Sequence, residues 1–166
     1  MARLRGGFLR PPDGGCLLTA KCAMARSLTP RLFCFVLWKE VTMRGVRGAT
    51  TAPTNTRQAM LDATRELLVR LVEENDIRTE DIVSIFFTAT TDLNAVHPAL
   101  AARQLKGWTY LPLLCAQEIA VPNSLPRTIR VLIHWNTPKT HDEIRHVYIN
   151  GAEVLRPDFA GKEEPT

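Results

Sequence analysis

The sequence predicts an α+β fold, a single sheet of five strands with one long and one short helix. Three observations carry that prediction. One segment shows a sustained helical period, about five short runs are rich in β-branched or aromatic residues, and the two kinds alternate along roughly 120 residues.

In chain order, the first element is a short strand over 44–51 that runs into a polar turn, its glycines Gly45 and Gly48 allowing close backbone approach. A long helix follows. Met60, Leu61, Thr64, Leu67, Leu68, Leu71 and Val72 recur at three- and four-residue intervals, Asn55 or Thr56 can cap the start, and Asn75 can end it. Its other side carries Arg57, Asp62, Arg65, Glu66, Arg70 and Glu73, which read as a solvated surface. The run 81–88 is a buried strand by its β-branched and aromatic content. Residues 98–105 suit a short helix, with Pro98 in the first turn and Gly107 just past the end. Strands follow at 111–116 and 129–135, and a shorter one at 146–149. Two helices cannot cover both faces of such a sheet, so an apolar face is left over and oligomerisation is the economical way to bury it.

Bulk properties place these elements in one domain, residues 43–166. The chain has 166 residues, 45% of them hydrophobic and 23% charged, an ordinary globular composition, and no run approaches the roughly 20 apolar residues that span a bilayer. The net charge of +4 is misleading. Residues 1–42 hold seven Lys/Arg against Asp13 and Glu40, a net of +5, so the remainder carries −1. A nucleic-acid partner is therefore not expected, because phosphate binding needs basic residues gathered on a folded surface. Cys16, Cys22 and Cys34 also fall in this first quarter, with only Cys115 beyond. Their spacing fits neither a zinc site nor a disulfide framework, and free thiols of a reducing, cytoplasmic compartment are the simpler reading.

Residues 1–42 are read as an extension outside the core, since they carry turn-forming clusters and lack an amphipathic period. The apolar run 32–38 resembles the middle of a targeting signal. It is short and late, however, follows Pro30, and is followed by Lys39-Glu40 rather than by a small-residue cleavage site. A start assigned too far upstream, with Met43 as the alternative, is the preferred reading.

No glycine-rich phosphate loop, H-E-x-x-H, G-x-S-x-G or paired C-x-x-C occurs, so common nucleotide, metal and hydrolase chemistries are unsupported. The four histidines, His97, His134, His141 and His146, fall at no metal spacing. What stands out is arginine at element ends: Arg44, Arg47, Arg103, Arg130, Arg145 and Arg156. Arg47 and Arg130 lie between apolar or small residues in strands, which favours ordered guanidinium groups. Together they could bind a small polycarboxylate, or they could be ordinary surface arginines. Glu118 ends an apolar strand, where site residues are often placed, and Cys115 has no base beside it to make it a nucleophile.

These residues carry a family resemblance. Met-Arg-Gly-Val-Arg-Gly-Ala-Thr-Thr (43–51), Thr-Ala-Thr-Thr-Asp-Leu-Asn-Ala-Val (88–96), Gly-Trp-Thr-Tyr-Leu-Pro-Leu-Leu-Cys-Ala-Gln-Glu (107–118), Ile-Arg-Val (129–131), Ile-Arg-His-Val-Tyr (144–148) and Val-Leu-Arg-Pro-Asp (154–158) together resemble the AroH-class monofunctional chorismate mutases. The trimeric enamine/imine deaminases share the general fold, but the Cys-Ala-Gln-Glu segment, Tyr148 and the Leu-Arg-Pro-Asp ending favour the mutase.

The resemblance implies a mixed sheet, a homotrimer assembled as a pseudo-α/β-barrel, and active sites in clefts between subunits. It implies the Claisen rearrangement of chorismate to prephenate, with no cofactor or metal. By motif position, Arg130 donates to the ether oxygen, Arg47 and Tyr148 bind a carboxylate, and Glu118 accepts from the ring hydroxyl with Cys115 adjoining and helping to hold it. Arg103 reaches the neighbouring subunit's site, and Leu155 and Arg156 belong to a closing C-terminal segment. Where family members commonly show Phe-Pro-Ala-Lys, this chain has His97-Pro98-Ala99-Leu100, and Thr91 stands where Pro is usual. The altered cleft rim implies weaker substrate binding with turnover largely kept.

Overall fold

A computed structural model describes residues 41–158; the readings of 1–42, the apolar run 32–38 included, lie outside the described residues except for Val41 and Thr42. Five strands form one mixed sheet in the order β3-β2-β4-β1-β5. They are β1 (Thr42–Thr51), β2 (Ile82–Ala89), β3 (Leu113–Gln117), β4 (Thr128–Thr137) and β5 (Val147–Tyr148), with α1 (Arg57–Asn75) and α2 (Ala99–Arg103) between them. β1 and β2 pair antiparallel with β4, while β3 and β5 run parallel to β2 and β1.

β1 is longer than the sequence implies. It begins two residues earlier, at Thr42, and at its other end Thr50 and Thr51 continue the ladder against Ile129 and Thr128 as the strand reading of 44–51 implies, with Thr50 fully buried. A β-branched side chain fits a pleated surface whatever its polarity. β5, in contrast, is only two residues long.

The helix is positioned as its period dictates. Met60, Leu61, Ala63, Thr64, Leu67, Leu68, Leu71 and Asn75 are buried, and Thr64 satisfies its hydroxyl by donating to Met60 O at 2.6 Å. Thr56 is the cap, accepting from Ala59 N–H. Asn55 has a different job, its carbonyl oxygen accepting from the backbone of Asn94 and Ala95 and so tying the loop after β2 to the start of α1. The helix ends in left-handed Asp76. Asn75, one residue earlier, is buried and bonds both backbone groups of Arg145.

Both helices pack on one face of the sheet, where Leu67, Leu68, Leu71, Ala99 and Ala102 meet Val46, Ile85, Phe87, Val131 and Ile133. Gly48 sets how closely α1 approaches. A Cβ there would stand 2.9 Å from Leu67 Cδ1, 2.9 Å from Leu71 Cδ1 and 3.0 Å from the Val147 carbonyl. Gly48→Ala is therefore expected to cost about 1–3 kcal/mol through overpacking. Urea unfolding at fixed protein concentration should show a lower midpoint with an unchanged slope.

The run 82–89 is not buried on both sides. Side chains alternate across a strand, so Ile85 and Phe87 enter the core while Phe86 is 39% exposed on the far face, beside Leu114 at 55%. No helix among the described residues covers that open face. None of the described helices is long and apolar enough to cross a membrane.

Candidate active site

The register of the sheet builds the site. Tyr148, Ala49, Arg130, Thr88 and Ala116 lie side by side across β5, β1, β4, β2 and β3, and all five point to the open face. Arg47 is two residues from Ala49 on the same face. Glu118 follows β3 and is anchored there by its backbone N–H on Ala89 O at 2.9 Å. Two residues beyond Ala116, it keeps that strand's open-face direction.

These side chains form a connected set. Arg130 Nη1 donates to Glu118 Oε2 at 2.5 Å, and the Thr88 hydroxyl donates to Glu118 Oε1 at 2.5 Å. The glutamate side chain is 11% exposed and the arginine 34%, so the carboxylate is sequestered while part of the guanidinium still faces outward. Arg47 is exposed and its side chain has no hydrogen-bonding or ion-pair partner among the described residues, although its backbone N–H donates to His146 Nδ1 at 3.1 Å. The Tyr148 hydroxyl is buried. A single helical turn, Ala152–Leu155, brings Leu155 and Arg156 back after β5, and Arg156 is held by Asp158 at 2.7 and 2.9 Å. That bonding, with the nearby charges of Asp158 and Tyr148, raises the guanidinium's pKa further.

A second group gathers elsewhere. A cleft of about 820 Å³ opens along the β3 edge, lined by His97, Leu100, Arg103, Cys115 and Arg57 among others. Ala99 also lines it, while packing into the core. One hydrogen-bonded corner supports the loop that forms its wall. Asp92 accepts from the Thr90 hydroxyl and from Arg127 N–H, and Arg127 Nη1 reaches the Pro53 carbonyl. Burial works against the Asp92 charge, but those bonds outweigh it and hold the carboxyl below its ordinary range.

One expectation needs correction. Cys115 does not hold Glu118: it pairs with Phe87, turns to the helix side against the core and lines the cleft, while Thr88 and Arg130 hold the carboxylate. Arg57 is exposed, as its place on the solvated side of the helix implies, and it also lines the same cleft as Arg103. Thr88 was missed as a partner of Glu118. It stood inside the resembling 88–96 block, and only the register shows that it faces Arg130.

The family model for chorismate mutase type I matches residues 43–159. The chain belongs to the type I chorismate mutase family. Among relatives, the chorismate mutase AroH of Bacillus subtilis is 45% identical over 118 residues, covering 71% of this chain and 93% of that protein. The Thermus thermophilus chorismate mutase AroH is 50% identical over 118 residues, covering 70% and 96%. A solved chorismate mutase from Clostridium thermocellum superposes with a TM-score of 0.66 at 48% identity, covering 68% of this chain and 99% of that one. The family match spans the described sheet from its second residue onward, and so both the open-face row and the cleft at the β3 edge lie inside it.

Proposed function

We propose that this type I chorismate mutase converts chorismate to prephenate, a step toward phenylalanine and tyrosine, in the cytoplasm. The observation that carries the site assignment is the row of Arg130, Thr88 and Glu118, with Arg47 and Tyr148 flanking it on the same face.

The chemistry suits that set. In the rearrangement one C–O bond breaks as one C–C bond forms, with no atom gained or lost and no covalent intermediate. Catalysis then requires holding the dianion in its compact diaxial conformer and stabilising the charge that develops on the ether oxygen. Arg130, oriented by Glu118 and partly open to the outside, is the cation for that oxygen. It gains more from the transition state than from the ground state, because the charge it meets is larger there. The exposed Arg47 guanidinium and Tyr148 take a carboxylate, Glu118 accepts from the ring hydroxyl, and Leu155 and Arg156 close over the substrate.

The cleft that carries Arg103, His97, Leu100 and Cys115 touches the open-face row at Ala116 but is not lined by Arg130, Thr88, Arg47 or Tyr148, so one chain does not gather both groups around one ligand. A homotrimer reconciles them. The open face with Phe86 and Leu114 turns inward as a barrel wall, and the cleft carrying Arg103 completes a neighbour's site.

Proton NMR of chorismate incubated with the protein should show prephenate as the sole product, and sedimentation equilibrium should give about three times the 18.6 kDa chain mass. Unchanged chorismate would reject the activity, and a monomer at assay concentration would reject the shared site.

The rim yields a third expectation. Leu100 lines the cleft without a charge, so Leu100→Lys should lower KM for the dianionic substrate severalfold and leave kcat near the parent value. Steady-state kinetics showing no fall in KM would remove this rim from substrate binding.

A further inference from the structure

We infer that Thr88 is a positioning residue for catalysis, acting through Glu118 on Arg130; the inference rests on the chorismate mutase reading of this site. Glu118 leaves the sheet at the end of β3, where the chain passes into a segment with Ile119, Ala120 and Val121 all exposed. Its backbone is tied by one bond to Ala89, but the direction of its carboxylate depends on what grips the oxygens. Two groups do so, one on each oxygen: the Thr88 hydroxyl on Oε1 and Arg130 Nη1 on Oε2.

Thr88 is suited to be the fixed end of this clamp. It lies in β2 directly across from Arg130 in β4 and from Ala116 in β3, so its backbone is bonded into the middle of the sheet. A β-branched side chain has few χ1 choices, which leaves the hydroxyl with a set direction. Its single proton is committed to Glu118 Oε1. With that oxygen held, the position of Oε2 is determined, and with it the face that the Arg130 guanidinium presents outward.

The bond also has an electrostatic effect. A carboxylate beside Arg130 offsets part of the positive charge that the reaction needs. A hydroxyl donating to the other oxygen draws some negative charge away from Oε2, leaving Arg130 more electropositive toward the ether oxygen. Both effects act where charge develops, so they belong in kcat more than in KM.

Thr88→Val keeps shape and strand propensity while removing the donor; Thr88→Ser keeps the donor. Steady-state kinetics on the full chain, with melting curves to confirm that each variant is folded, should show kcat for Thr88→Val down about tenfold with KM within about twofold. Thr88→Ser should remain within about threefold of the parent. In a Glu118→Gln background the Val substitution should add less than about twofold, because neighbours acting as one unit are not additive. The inference is overturned if Thr88→Val keeps its kcat, if Ser fails to restore it, or if the Val effect persists undiminished in the Glu118→Gln background. A parent chain without activity would overturn the underlying reading as well, whereas an active parent indifferent to Thr88→Val overturns this inference alone.

Discussion

Replacing Arg130 with citrulline lowers kcat by about 10²–10³-fold while KM changes far less. Citrulline has nearly the shape of arginine and keeps most of its N–H donors, so packing in β4 and the hydrogen bond toward Glu118 can persist. What disappears is the charge. Arg130 is 34% exposed, but bound substrate displaces the water it faces, and the attraction of a fixed cation for a developing oxyanion is then worth several times its value in solution. The loss falls on the transition state because the ether oxygen carries little charge before bond breaking begins. A kcat within a few-fold of the parent would mean that Arg130 only shapes the site.

Arg47→Ala produces the complementary pattern, raising KM about 10- to 100-fold with a smaller change in kcat. Its guanidinium is exposed and has no partner among the described residues, so nothing in the fold depends on it and the loss is confined to binding. A carboxylate is present in substrate and transition state alike, and a contact made equally in both lowers KM without accelerating the step. Melting curves for parent and variant should coincide. An unchanged KM would remove Arg47 from the substrate site.

The contrast between the two arginines shows what could be read from sequence. That both are ordered strand residues followed from their apolar or small neighbours. That they share a face, two rows apart, required the pairing of Ala49 with Arg130, which no single sequence displays. α1 was legible almost throughout, because its 3.6-residue period is local. The strands were recognised but misjudged at their ends and faces. β1 was placed at 44–51 and begins two residues earlier, and the strand read as buried at 81–88 turns Phe86 outward.

Cys115 and Glu118 illustrate the cost of reading proximity from sequence distance. Three residues apart along an extended chain, they fall on opposite sides, since the strand period is two. The residues that do meet Glu118 are Arg130 and Thr88, the latter 30 positions away and two residues past Phe86 on the same face. Arg57 was placed rightly on the solvated side, but its position beside a cleft was not legible. A helical wheel shows which side leaves the core, not that the loop before α2 will build a cleft wall beside it.

The central claim, that a fixed cation accelerates this rearrangement with no proton in flight, is tested most directly by following loss of chorismate absorbance in a single turnover, in H₂O and in D₂O. The account predicts conversion far faster than without protein and traces that coincide in the two solvents. A reaction several-fold slower in D₂O would place a proton transfer in the transition state and contradict it.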